Sequence, residues 1–261
     1  MRAFSEAECD VSDSRRVGSL LQLFRPEYVV NCVERFSWKP SDEGFRINSV
    51  GAAVVALGAR LCGAYAVHVS DEVVFSGYPE EVDYLWKVSD RAYPTSVMGV
   101  MRLLGEQAVR ELCTASTVVR LPYLYDHHYV NSPIVRAART LRQFPEEPMR
   151  LEMHEANLFE RSTPIRAVHA ARILANHIVE GTIRSYPLAH IGPKNGFPIS
   201  WKELLAGFYP DNRKAYHRQS YGLASTEGWE APSMIDTLDH FLKEAGTDWQ
   251  VSTVRVHRGS N

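Results

Sequence analysis

Short apolar, β-branched runs alternate with amphipathic segments through the first half of the chain, and that alternation predicts βαβ units around a parallel sheet. Between Ser14 and Phe24 the residues Val17, Leu20, Leu21 and Phe24 recur on one helical face. Tyr28 to Cys32 then reads as a strand, Phe45 to Leu61 as a helix and Tyr65 to Ser70 as a second, buried strand. A polar and aromatic excursion, Gly77 to Pro94, leads into a helix from Ser96 to Leu112, and Ser116 to Leu121 gives a third strand. After Pro122 the texture changes. Helical stretches at Ser132 to Gln143 and Ile165 to Val179 flank a loop-rich segment with Pro145, Pro148 and Pro164. Beyond Gly181 the chain reads as irregular, apart from helices at Ser200 to Phe208 and Ser233 to Glu244. The expectation is a parallel-sheet α/β core over 1–125 and a mixed segment over 126–261, which adds the remaining core elements and a small C-terminal α/β lobe within one structural unit.

Composition narrows the functional classes. The 261 residues can bury a full core, and a formal net charge of -2 without a long block of like charge gives no global electrostatic case for nucleic acid. Cys9, Cys32, Cys62 and Cys113 are widely spaced, with no C-x-x-C pair and no histidine at ligand spacing, so they are expected as reduced core thiols and no metal is expected. The start, MRAFSEAECDVSDSRR, has no apolar h-region and carries acidic residues, which predicts an intracellular protein, cytoplasmic rather than organellar. Apolar runs such as VGAAVVALGA fall short of the ~20 residues that cross a bilayer, so no membrane anchor is expected.

Several phrases then occur in a fixed order: Arg25-Pro26-Glu27-Tyr28-Val29-Val30-Asn31-Cys32, Ile47-Asn48-Ser49-Val50, the run from His68 to Gly77, VMGVMRLLGE from Val97 to Glu106, Val119 to Tyr125, and Ser162-Thr163-Pro164-Ile165. Each is short. Together, over about the first two-thirds of the chain, they resemble the extended short-chain dehydrogenases/reductases of the dTDP-4-dehydrorhamnose reductase type. The methionine adenosyltransferase beta regulatory subunit belongs to that group, and VRLPYLY is close to its version of the motif. The resemblance implies a Rossmann-like parallel sheet with a small C-terminal α/β lobe.

It also implies chemistry that these residues do not supply. A nicotinamide reductase of this fold uses a glycine-rich turn after its first strand, where backbone N–H groups and a helix N-terminus hold the pyrophosphate. No such turn occurs near the start. Met1-Arg2-Ala3-Phe4 falls at the family's second strand and Cys9-Asp10-Val11-Ser12-Asp13 at its "L-D-I-T-D" phrase, so the first strand, the glycine turn and the first helix are expected to be missing. The family's proton-donating Tyr and its Lys four residues on, which share one helix face, correspond to Met98 and Arg102, and its carbonyl-polarising Ser or Thr to Asp71. A thioether transfers no proton, arginine does not replace a tuned lysine, and a carboxylate opposes a developing oxyanion. Ser70 lies on the other side of an extended chain, and Tyr93 has no lysine four residues on and precedes a proline.

Other candidates keep two readings each. Asp10 and Asn31 are remnants of cofactor contacts or strand-end structural residues; Arg161 and Arg166 are phosphate ligands or surface ion-pair residues. Tyr84 and Trp86 are interface anchors or cover for the place of the missing strand. His127-His128, His154-Glu155 and His169 lack a coherent third ligand and read as structural. The expectation is a non-catalytic structural or regulatory subunit that needs a protein partner and binds no cofactor. The alternatives are an NADP-dependent nucleotide-sugar reductase whose start lies further upstream, the one case in which NADP or NAD is expected, and a small-ligand sensor using the residual cleft.

Overall fold

The structure, a computed structural model, describes residues 1–35, 40–75, 84–127, 161–194, 196, 198–200 and 222–244. Two compact units share the chain without following its order. The first holds Met1–Gly77, Lys87–Leu121 and Leu174–Ile191; the second holds Tyr78–Trp86, Pro122–Ile173 and Gly192–Asn261.

In the first unit, helix α1 (Ser14–Phe24) starts at Asp13, whose carboxylate accepts from the backbone N–H groups of Arg15 and Arg16. It ends at Arg25, which takes a left-handed φ of 42° and closes the last turn onto Leu21. The chain continues into β1 (Tyr28–Asn31). Helix α2 (Asp42–Cys62) follows, carrying a π-turn over Arg46–Gly51 and stopping at Gly63, φ 75°. Then come β2 (Tyr65–Asp71), helix α3 (Val97–Leu112) and β3 (Ser116–Leu121). After β4 (Leu124–Tyr125), β5 (Arg161–Ser162) and β6 (Ile165–Arg166), which belong to the second unit, β7 (Leu188–His190) completes a parallel sheet in the order β1-β2-β3-β7.

The register pairs Tyr28 with Tyr65, Ala66 with Ser116 and Val118 with Leu188. Central β2 and β3 are buried almost throughout, as a parallel sheet covered on both faces requires. β1 has one strand neighbour among the described residues, and Val30 is exposed on it. Ala52, Ala56 and Ala59 of α2 meet Val109 of α3 over Ala66 and Val118 of the sheet. These small side chains let the helices approach closely. A Cβ on Gly105 would stand 2.4 Å from the Asn48 carbonyl oxygen, so α3 can cross α2 there only as glycine.

The second unit joins short strands. β4 pairs with β6 in parallel, β5 with β9 (Ile199–Ser200) antiparallel, and β8 (Gly192–Pro193) with β10 (Glu230–Ala231) in parallel. Helix α4 (Ala167–Val179) begins here, although its residues from Leu174 group with the first unit. Helix α5 (Met234–Glu244) buries Leu238 and Phe241, and the Tyr125 ring meets Phe241 edge-on at 5.1 Å.

The Rossmann-like parallel sheet is present, and α1, β1, β2, α3, β3 and α5 lie within a residue or so of their expected bounds. Four readings change. β7 lies in the stretch expected to be irregular, because three residues, Leu-Ala-His, are too few to show a period-two pattern. Ile165–Arg166 is a strand beside β4 and not the start of a helix. Met1–Phe4 forms no strand; the Arg2 guanidinium instead lies over the rings of Phe4 and Phe24 at 5.2 and 4.7 Å. All four cysteines are free, but only Cys113 is buried and Cys32 is exposed. The helices expected at 132–143 and 200–208 lie outside the described residues.

Candidate functional site

α3 turns Met98, Arg102, Glu106 and Val109 toward the sheet, the repeat expected of a buried helical stripe. Met98 is sealed at 1% exposure, its sulfur 3.7 Å from Asn48 Nδ2. Arg102, one turn on, is 2% exposed and committed to two carboxylates: Nη2 lies 2.7 Å from Glu34 Oε1 and Nε 3.0 Å from Asp71 Oδ2. Asp71 ends β2, and its other oxygen accepts from the backbone N–H of Val73 at 3.1 Å, capping the single turn Glu72–Val74. Burial pushes the Asp71 carboxyl upward, and the Arg102 charge pulls the other way. The three positions singled out from sequence, Asp71, Met98 and Arg102, thus come together, joined by Glu34. What they form is an ion triad, a buried guanidinium between half-buried Asp71 and exposed Glu34, beside a thioether. Tyr93 stays exposed.

Beneath this triad, His68 and Ser70 occupy one face of β2. Asn31 Oδ1 accepts from the Val33 N–H at 3.1 Å, which fixes its amide so that Nδ2 donates to His68 Nδ1 at 3.3 Å across the β1–β2 register. The imidazole proton therefore sits on Nε2. Burial first, and the Arg102 charge second, lower the His68 pKa to about 4, so the ring is neutral. Asp10 is equally occupied: it pairs with Arg46 and accepts from Ser12 Oγ at 2.7 Å and Ser12 N at 2.9 Å. These bonds, that from Arg46 foremost, hold its carboxyl at about 2. Asn31 and Asp10 thus each serve a structural bond.

A nicotinamide dinucleotide needs backbone donors for its pyrophosphate. The N-termini of α1, α2 and α3 are already met by Asp13, Ser41 and Ser96, whose side chains accept from the first-turn N–H groups. The segment after β1 brings Glu34, and β2 ends on Asp71, both carboxylates at the carboxyl edge of the sheet, where such a ligand binds. The described residues therefore do not fit the cofactor's phosphates.

In the second unit Arg166 is 12% exposed and engaged: Nη1 lies 3.0 Å from Glu244 Oε2, Nη2 lies 3.8 Å from Asp126, and the guanidinium stands 5.5 Å from the Phe241 ring centre. Glu244 also receives His127 Nε2 at 3.0 Å and His240 Nε2 at 3.1 Å, and the His127 ring stacks on Phe241. His169 is on α4, where burial and Arg166 lower its pKa. Arg161 is in β5; its side chain, with His128, His154 and Glu155, lies outside the described residues. Tyr84 and Trp86 are half-buried and meet edge-on at 5.4 Å, while the Trp86 backbone bonds to Gly222 and Ala224. No group of three metal-ligating side chains occurs among the described residues.

Two partnerships escaped the sequence. Glu34 lies in no motif, and only the fold sets it against Arg102. Arg120 and Glu106 sit in separate phrases, yet they form a bidentate pair at 2.9 and 2.7 Å with both side chains almost fully buried.

The family model for the RmlD substrate binding domain matches residues 1–190. Among curated relatives, spore coat polysaccharide biosynthesis protein SpsK of Bacillus subtilis is 29% identical over 129 residues, 48% of this chain and 44% of that protein. The dTDP-4-dehydrorhamnose reductase of Escherichia coli is 28% identical over 44% of this chain and 39% of its own length. Methionine adenosyltransferase 2 subunit beta of Rattus norvegicus is 30% identical over 45% of this chain and 35% of its own. The matched part thus spans less than half the length of each of these relatives. Among solved structures, dTDP-4-dehydrorhamnose reductase from Bacillus anthracis in complex with NADP superposes with a TM-score of 0.74 at 22% identity, covering 92% of this chain and 88% of that one. The Clostridium acetobutylicum orthologue gives 0.73 at 20%, covering 94% and 90%. These two likenesses establish the fold. With almost three-quarters of its residues matched by the family model, the chain belongs to the RmlD substrate binding domain family.

Proposed function

We propose that this chain is a non-catalytic member of the dTDP-4-dehydrorhamnose reductase-like family, acting as a structural or regulatory subunit of a larger assembly without a nicotinamide cofactor. The observation that carries this reading is the commitment of Arg102 to Glu34 and Asp71. A reductase of this kind needs a proton donor and a cation that lowers its pKa, both facing the substrate. Here the donor's position is a sealed methionine, and the cation is held between two carboxylates. A relative that is by name a subunit of another enzyme supports the same reading. The test is to mix the purified chain with reduced cofactor and a nucleotide-linked 4-keto sugar and follow nicotinamide oxidation, with calorimetric titration of NADPH and NADH alongside. No turnover and no saturable binding at low micromolar concentration are expected; either one refutes the proposal.

A second reading, an NADP-dependent nucleotide-sugar reductase, draws on the relatives named as reductases and on the NADP bound in the Bacillus anthracis structure. It requires donor groups other than Met98 and Arg102. The same assay separates the two.

A further inference from the structure

Helices α1 and α2 each carry a glycine in mid-helix, Gly18 and Gly58. Glycine inside a helix is less stable than alanine, so each position calls for a reason in its surroundings. Gly58 has one in packing: a Cβ there would stand 2.7 Å from Leu21 Cδ1. Gly18 has none, since a Cβ there would meet nothing within 4 Å. Over Gly18 lies a cleft of about 530 Å³ between α1 and the last turns of α2, a size within the range of about 300–1,000 Å³ that small-molecule sites occupy. Its walls are apolar, with Leu21 on one side and Leu61, 76% exposed, on the other. Arg25 closes one end. It is exposed, its guanidinium has no ion-pair partner among the described residues, and it is the one non-glycine residue among them with a left-handed φ, 42°. Neither α1 nor the stretch 44–62 of α2 contains a carboxylate that could neutralise it.

We propose that this cleft binds a small amphiphile with an apolar chain and one anionic head, of the class of a medium-chain carboxylate. The chain lies over Gly18 between Leu21 and Leu61, and the head pairs with Arg25, whose planar fork matches a carboxylate. Two helix C-termini border the cleft, and their dipoles oppose an anion. Each is worth only about half a charge. The carbonyls of Leu21, Ala59 and Arg60, moreover, already accept from the N–H groups of Arg25, Ala64 and Gly63, so the full charge of the guanidinium prevails. The lining has no aromatic ring on which a base could stack and a single cation, which favours one acidic group over a nucleotide. Both helices lie within the first unit, and the inference holds whether or not the chain turns over a substrate.

Calorimetric titration of the full chain with octanoate, and with octanol as its uncharged counterpart, tests it. Octanoate is expected to saturate with a Kd below about 0.3 mM, and octanol to bind about tenfold more weakly. Gly18→Leu places a side chain in the cleft and is expected to abolish binding of both. Its thermal midpoint is expected to hold or rise, because leucine is the better helix former and the space for it is open. Should that variant fail to fold, Arg25→Gln decides: it is expected to weaken octanoate about tenfold and leave octanol unchanged. Octanoate that does not saturate, binding indifferent to a folded Gly18→Leu, or equal affinities for octanoate and octanol would each overturn the inference.

Discussion

Arg102 Nη2 stands 2.7 Å from Glu34 Oε1 while its Nε stands 3.0 Å from Asp71 Oδ2, so one buried cation ties the segment after β1 to the end of β2. Removing that cation leaves Asp71 without its counter-charge in a site closed by α3. Arg102→Ala is therefore expected to lower unfolding stability by about 3 kcal/mol. Glu34→Gln is expected to cost less than about 1 kcal/mol, because that carboxylate is 46% exposed and water screens it. Urea denaturation of both variants and of their combination checks this. Equal losses would mean that Asp71 does not depend on Arg102.

The pair Arg120–Glu106 is buried on both sides and bidentate. Glu106→Gln is expected to cost about 3–5 kcal/mol, since it strands a guanidinium inside the core, whereas Arg120→Met with Glu106→Leu is expected to recover most of that loss. Chemical denaturation midpoints of the single and double variants decide it; a double variant no better than the single would show that the pair is required for more than charge balance.

Under the proposed function, placing a tyrosine and a lysine at positions 98 and 102 is expected not to create a reductase. Met98→Tyr with Arg102→Lys supplies a phenol and an ammonium, but Asp71 and Glu34 remain beside them, and the helix N-termini stay capped by Asp13, Ser41 and Ser96. Productive sites tolerate errors of only about 0.5 Å. Turnover by this variant under saturating NADPH would show that the rest of the machinery is intact.

Stability should respond to His68 at mildly acid pH. Its folded pKa is lowered to about 4 from an ordinary 6.5, so between those values the unfolded chain binds more protons than the native one. Stability contributed by neutral His68 is full above 6.5 and is lost as pH falls toward 4. Asp71, whose pKa burial raises to about 6, works in the opposite sense, its contribution being lost as pH rises through about 6. His68→Gln removes the first effect and keeps the second. The stability difference between wild type and variant is expected to grow with pH from about 4 to about 6.5 and then level off; a difference constant with pH would mean that His68 titrates normally.

Gly105→Ala is expected to destabilise by about 2 kcal/mol, because its new methyl would meet the Asn48 carbonyl at 2.4 Å and force α2 and α3 apart. Thermal unfolding measures it. An unchanged midpoint would show that the helices have room to separate.

The sequence by itself determined the parallel α/β core, because period-two and period-3.6 patterns are local and α1, β2, α3 and β3 each carry enough residues to display them. It also singled out Asp71, Met98 and Arg102, which lie inside contiguous phrases. Tertiary structure decided what those residues do. Glu34 meets Arg102, and Arg120 meets Glu106, across separate segments, and nothing in a one-dimensional pattern says which carboxylate will face which guanidinium. β7 and β4 were invisible for a related reason: strands of two or three residues owe their existence to a neighbour's hydrogen-bonding edge rather than to their own side chains.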